Sequence, residues 1–241
     1  MAQFFDDFRS AVVGAPSPDF TPMWGAGPNT VISGNPEVGS SRSVKFFHNG
    51  DGSYGRTAAS WRNIQSEGKT SVRVLLSYVQ HTNSPGAIVG PMLSATGSAA
   101  TRSGYVVWSG ANFRLSKYEN GSDSSVASST GSSANVFITK NIEIVRDGAN
   151  ISVWIWPHLT SRPVAPELSY TDPLPLPVSG YVGISLLLAL GIRETELHSI
   201  AVGTNGDPAP TGPITPSLNT PTNPAATNLQ ATSARLTWDQ G

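Results

Sequence analysis

Along Asn150–Pro157 (NISVWIWP) an extended chain sends Ile151, Val153 and Ile155 one way and Ser152, Trp154 and Trp156 the other. Two indoles at i and i+2 of a strand stand about 7 Å apart, twice a rise of about 3.4 Å per residue. An indole combines a flat apolar face with a polar edge. The apolar face of a sugar ring stacks on such a surface, and a pair at this spacing suits two neighbouring sugars. The same pair would also serve as packing inside a sandwich or under a loop, since a chain with six Trp must bury most of them. Trp61 in ASWRN, Trp108 in VVWSG and Tyr54 are further candidates for ligand contact, whereas Trp24 and Trp238 read as core.

No catalytic arrangement stands out among the side chains. Glycoside hydrolysis needs two carboxyl groups flanking the scissile bond. Glu194 and Glu196 share a face only if extended, and they read as a solvated turn before the last strand. Asp147, near Glu143, is explained by a turn. There is no Gly-x-Ser-x-Gly elbow. With no Cys, thiol nucleophiles, disulfides and Cys-based zinc sites are excluded. His48, His81, His158 and His198 are scattered without metal-ligand spacing and read as surface residues. Calcium is the one metal with a candidate site. Asn49, Asp51 and Ser53 alternate as oxygen donors in HNGDGSY, like part of an EF-hand loop. The closing Glu is missing, and a tight Gly turn leading to Tyr54 accounts for the same residues. The chain therefore reads as a binding or assembly protein rather than an enzyme, with no cofactor other than that calcium.

The elements that must position these residues are strands. Ser71–Gln80 alternates, with Val72, Val74, Leu76 and Tyr78 opposite Arg73, Leu75, Ser77 and Val79. Tyr105–Trp108, Phe113–Tyr118, Val136–Ile138, Gly180–Leu188 and Leu197–Val202 add further strands. Ile142–Val145 and Ile151–Ile155 flank RDGAN, residues 146–150, a hairpin signal because Gly accepts the positive φ of a tight turn. Residues 192–197 offer at most one helical turn. Asn120–Ser133 and Ser94–Ser103 read as exposed polar loops, and Pro157–Pro177 as an irregular connection. Gly 24 and Pro 19 in 241 residues fit many short strands and turns. The net charge of −1, without a basic run, excludes the electrostatic footprint of a nucleic-acid binder. The most apolar stretch, Val182–Ile192, is too short to span a bilayer, so membrane insertion is not expected. The opening MAQFFDDFRS lacks the basic and apolar regions of an export signal.

After Gly203 the composition shifts. Residues 208–224 are rich in Pro and Thr and read as an extended linker. The tail PTNPAATNLQATSARLTWDQG resembles the opening of a fibronectin type III domain, with Leu236 and Trp238 in its Leu-x-Trp core pattern. It supplies only the first strands, so residues 225–241 are an incomplete module. Residues 1–207 resemble a concanavalin-A-like or laminin-G-like sandwich. That resemblance rests on the order of Phe5-Asp6-Asp7-Phe8, Trp24, Tyr54-Gly55-Arg56, the long strand at 71–80, the hairpin 143–155, Ser179–Ile184 and the closing Ser199–Gly203. It implies an all-β, antiparallel jelly-roll sandwich, and laminin-G-like domains often hold calcium on a rim loop. The Glu-x-Asp-x-x-Glu motif of concanavalin-like glucanases is absent. A lectin-like sandwich continued by fibronectin-like strands, without an export signal, resembles bacteriophage virion proteins of tail, fibre or capsid decoration. The expectation is a virion or extracellular protein in many copies or as a homo-oligomer, touching other virion proteins and a host surface polysaccharide. Two alternatives stand beside it: a purely architectural decoration module, and an accessory glycan-binding module of a secreted bacterial enzyme.

Overall fold

The computed structural model describes residues 3–24, 29–33, 42–49, 55–65, 71–80, 87–98, 100–109, 112–129, 138–177, 179–188 and 192–211. They form β1 (Gln3–Asp6), β2 (Phe20–Pro22), β3 (Asn29–Ser33), β4 (Arg42–Asn49), β5 (Gly55–Gln65), β6 (Ser71–Gln80), β7 (Ala87–Thr96) and β8 (Ser103–Ser109). There follow β9 (Phe113–Glu119), β10 (Ser122–Ser128), β11 (Lys140–Asp147), β12 (Asn150–Pro157), β13 (Leu168–Thr171), β14 (Tyr181–Leu188) and β15 (Ile192–Thr204). Among the described residues no helix is long and apolar enough to cross a membrane.

The strands build two antiparallel sheets. One has eight strands in the order β13-β12-β11-β6-β15-β4-β3, with β1 on β15 beside β4. The other has seven, in the order β10-β9-β8-β7-β14-β5-β2. First and last strands pair directly, Phe4 opposite Val202 and Asp6 opposite Ile200. The alternation in β6 holds: Val74, Leu76 and Tyr78 enter the core between the sheets. Ile142, Ile144, Ile151 and Val153 join them and meet Leu93, Tyr105, Val107, Leu115 and Trp61 of the other sheet. The hairpin closes more tightly than the pattern suggests. Asp147 pairs with Asn150, so Gly148-Ala149 is a two-residue turn, and Gly148 at φ 59° supplies the positive dihedral.

The seven-stranded sheet is also buried on its outer face. There Trp24, Ala58, Met92, Val106, Trp108 and Tyr118 form a second apolar cluster. The Trp24 indole N–H donates to the Thr96 carbonyl at 3.0 Å, and its ring lies 5.6 Å from that of Tyr118.

A buried polar clasp closes one end of the core. Asp172 accepts from the Tyr105 hydroxyl at 2.6 Å and pairs with Lys117 at 2.9 Å, its side chain 1% exposed. The Leu174 N–H donates to the same carboxylate, and the Leu176 N–H to the Tyr105 oxygen. From the opposite sheet Arg146 reaches across to Ser94 Oγ at 2.6 Å and to the Leu176 and Pro177 carbonyls. Burial alone would push the Asp172 carboxyl up. The hydrogen bonds from Tyr105, Lys117 and Leu174 outweigh it and hold it below the ordinary carboxylate value. Burial and the Asp172 charge together push the Tyr105 hydroxyl well above its ordinary value.

Beyond β15 the chain turns at Asn205-Gly206, both at positive φ, and lays Pro208–Thr211 back over the eight-stranded sheet. Ala209 is buried against Leu75, Trp156 and Ala201. Gln3 Nε2 donates to the Pro208 carbonyl at 2.8 Å. Gly203 lies under this strap, where an added Cβ would meet the Asp207 oxygen at 2.4 Å and the Pro208 carbonyl carbon at 2.8 Å.

Several expectations are corrected. Ser122–Ser128, expected as loop, is the edge strand β10. Backbone pairing with β9 needs no apolar side chain, and Arg114 and Asp123 pair across it at 2.9 Å. Ser94–Thr96 completes β7 rather than opening a loop. Residues 192–197 are extended, because β4 pairs with them along one edge and β6 with Thr195–Leu197 along the other. Pro157–Pro177 contains β13, paired to β12. The start of the linker, at Pro208–Thr211, is packed on the sandwich. His198, expected at the surface, is 1% exposed, at a bulge between Leu197 and Ser199 that breaks the alternation. Residues 136–137 and 212–241, with the fibronectin-like segment, lie outside the described residues.

Two outcomes are expected. Asp172→Asn removes the buried charge partner of Lys117, leaving it only the exposed Glu119 at 3.6 Å, and should cost about 3–5 kcal/mol in urea denaturation. Because the folded pKa of Asp172 is depressed, its stabilisation is present above the unfolded value of about 3.9 and is lost as pH falls through the folded value. The wild type should therefore lose stability on acidification below about pH 4, with a flatter acid limb in Asp172→Asn. Gly203→Ala should cost about 1–3 kcal/mol by overpacking against the strap. The same substitution in a chain ending at Gly206 should cost little, because the clashing atoms are gone.

Candidate functional site

Residues that alternate away from the core align in rows across the outer face of the eight-stranded sheet. One row runs Ser199, Ser77, Asn141, Trp156. The next runs Ala201, Leu75, Glu143, Trp154, and the third Gly203, Arg73, Val145, Ser152. The connection after β12 rises on one side of these rows and the Pro208–Thr211 strap on the other. Between them lies a groove of about 650 Å³. Leu75, Asn141, Glu143, Trp156 and Ser199 lie on its sheet side, with Arg73, His158 and Thr160–Arg162 around them.

The electrostatics centre on Glu143, whose side chain is 5% exposed. Arg162 Nε donates to Oε2 at 2.5 Å, and Arg73 Nη1 stands 3.7 Å from Oε1, beyond hydrogen-bond reach. The Arg162 guanidinium carbon also lies 3.7 Å from the centre of the Trp154 ring, a cation–π stack. The Trp154 indole N–H is buried without a hydrogen-bond partner among the described residues. Beside the pair, His158 Nδ1 is 3.0 Å from Ser77 Oγ and 3.1 Å from Asn141 Oδ1. An amide oxygen only accepts, so the proton is assigned to Nδ1 and Nε2 is left as an acceptor. Burial lowers the His158 pKa and favours this neutral form.

The aromatic candidates part company here. Trp156 lines the groove but is only 6% exposed. Trp154 shares its face, yet the Arg162 guanidinium covers the ring, so the two indoles do not form an open double platform. Trp61 is 0% exposed between the sheets and has no surface to offer a ligand. Trp108, 3% exposed, is packed with Tyr118 on the outer face of the other sheet. Tyr54 lies outside the described residues, as do Asp51 and Ser53. Asn49 is the last residue of β4, and its side chain is likewise outside them. Among the described residues no group of three or more His, Asp or Glu could hold a metal ion.

Sequence reasoning did not bring Arg73, Asn141, Glu143, His158 and Arg162 together. Alternation put Arg73 and Leu75 on one face, but the register of Glu143 against Trp154 follows from the two-residue turn, which is tighter than the sequence pattern suggests. Nothing local signals that Arg162, on an irregular connection, folds back onto Trp154.

No protein-family model and no curated protein sequence matches the chain. Solved structures do match its fold. Lectin I-B4 from Griffonia simplicifolia, in its metal-free form, superposes with a TM-score of 0.57 at 14% identity, covering 85% of this chain and 100% of that one. The VIP36 exoplasmic/lumenal domain in a Ca2+/Man-bound form gives a TM-score of 0.54 at 11% identity, covering 80% and 85%. The carbohydrate-binding module CBM66 from Bacillus subtilis gives 0.50 at 13% identity, covering 75% and 94%. At these identities the likeness concerns fold. The chain has the concanavalin-like β-sandwich fold of the legume lectins.

Proposed function

We propose that this sandwich binds a surface glycan and does so as part of a bacteriophage virion protein, in tail, fibre or capsid decoration. The observation that carries the binding reading is the groove on the outer face of the eight-stranded sheet. It is concave and combines the apolar Trp156 and Leu75 with convergent Arg, Asn, His and Ser groups, the mixture that small-ligand sites share. Among the described residues Glu143 is the one carboxylate lining it, bonded by Arg162 and flanked by Arg73, which favours binding over acid–base hydrolysis. The virion reading rests on the fibronectin-like tail beside a lectin-like sandwich. A single shallow site binds weakly, and display in many copies would raise the avidity.

A second reading, the architectural module, draws on a different observation. Leu159, Val164 and Leu174 on the Pro157–Pro177 connection are 85%, 100% and 76% exposed, apolar surface suited to a protein neighbour.

The full chain, multimerised on beads, should bind fixed bacterial cells and an array of bacterial surface polysaccharides. Ser199→Tyr, which fills the groove from an outward strand position, should abolish binding with an unchanged melting temperature. Trp156→Phe should weaken it by a few-fold, an aromatic contact being worth about 0.5–1.5 kcal/mol. Absence of glycan binding by the folded, multimerised wild type would defeat this proposal and favour the architectural reading.

A further inference from the structure

Glycan hydroxyls both donate and accept, so a site for a neutral sugar offers a balance of donors and acceptors. This groove is unbalanced. Among the described residues its lining carries two permanent cations, Arg73 and Arg162, against the single carboxylate of Glu143. That carboxylate is nearly withdrawn from solvent and already accepts from Arg162. Arg73 is 22% exposed, and among the described residues its one polar contact is Glu143 at 3.7 Å. Its five N–H donors are therefore almost unused. Arg162 commits only Nε, leaving its two terminal nitrogens without a hydrogen bond among the described residues. With His158 neutral, the three charged groups sum to one positive charge.

The two guanidinium groups flank one carboxylate, so their forks stand within reach of a common acceptor group. A second carboxylate arriving from the solvent side meets unspent donors of both arginines and brings the local charge to zero. Arginine suits this role because its planar fork pairs with a carboxylate through two parallel hydrogen bonds. Trp156 beneath offers the edge of an apolar surface for a ring attached to that carboxylate.

We propose that the groove selects acidic saccharides, sugars whose ring bears a carboxylate, and that Arg73 and Arg162 determine this specificity by receiving the carboxylate. The inference rests on the glycan-binding reading and names the class of glycan.

The test uses the full chain and a panel of bacterial acidic oligosaccharides. Each is paired with its carboxyl-reduced form, in which a hydroxymethyl group replaces the carboxylate and the rest of the sugar is unchanged. The acidic members that bind should lose at least tenfold in affinity on reduction, and their binding should weaken as salt is raised. Arg73→Gln should bring the acidic-to-reduced affinity ratio close to one, and Arg73→Lys should keep part of the preference, with folding checked by circular dichroism and melting. Equal or tighter binding of the reduced sugars would overturn the acidic specificity and leave glycan binding standing. Binding of neither form of any pair would count against both readings.

Discussion

The carboxylate of Asp172 is taken out of water between two sheets, and the fold holds only because its partners come from every element that meets there. Tyr105 and Lys117 arrive from adjacent strands of the seven-stranded sheet. Arg146 arrives from the eight-stranded sheet and binds the carbonyls just beyond Asp172. An ion left unpaired at that depth costs several kcal/mol, so the geometry of the connection is specified rather than merely allowed. The apolar core favours any compact stacking of the two sheets. The clasp selects the one in which residues 172–177 cross between them.

That selection reaches the groove through the chain itself. The connection that ends in the clasp begins at the far end of β12, where the His158 N–H bonds the Thr139 carbonyl. β13 pairs with β12 in between, and the Glu167 N–H bonds the Val153 carbonyl. Arg162 is thus carried on a segment tied at both ends, and its guanidinium comes down on Trp154 and Glu143. The opposite wall has a separate origin, in the glycine at 203 that lets the strap pass close over β15. A sheet face that would otherwise be open is narrowed from two sides into a groove.

Much of this was legible along the chain. Val74, Leu76 and Tyr78 announce the inner face of β6, and Arg73, Leu75 and Ser77 its outer face, because a period of two has only two sides to choose from. Asp147-Gly148 announces the hairpin, though not the two-residue turn that sets Glu143 opposite Trp154. Other parts were not legible. Ser122–Ser128 has the composition of a loop and becomes a strand because β9 offers it a free edge. His198 looks like a surface residue and is buried, at a bulge that shifts the alternation by one.

The sequence by itself determined that the chain is built of strands, which residues each strand turns to the same side, and that no metal cage of cysteines is present. Local periodicity and residue chemistry suffice for these, since they depend on near neighbours only. The tertiary structure alone decided which of the five described tryptophans border a groove and which are core, and that Arg73 and Arg162 share one glutamate. Trp61, in ASWRN, has the more polar neighbours and is core, whereas Trp156, in WIWPH, has the more apolar ones and borders the groove. What separates them is which sheet face the rest of the chain folds over, and that depends on contacts between residues far apart in sequence.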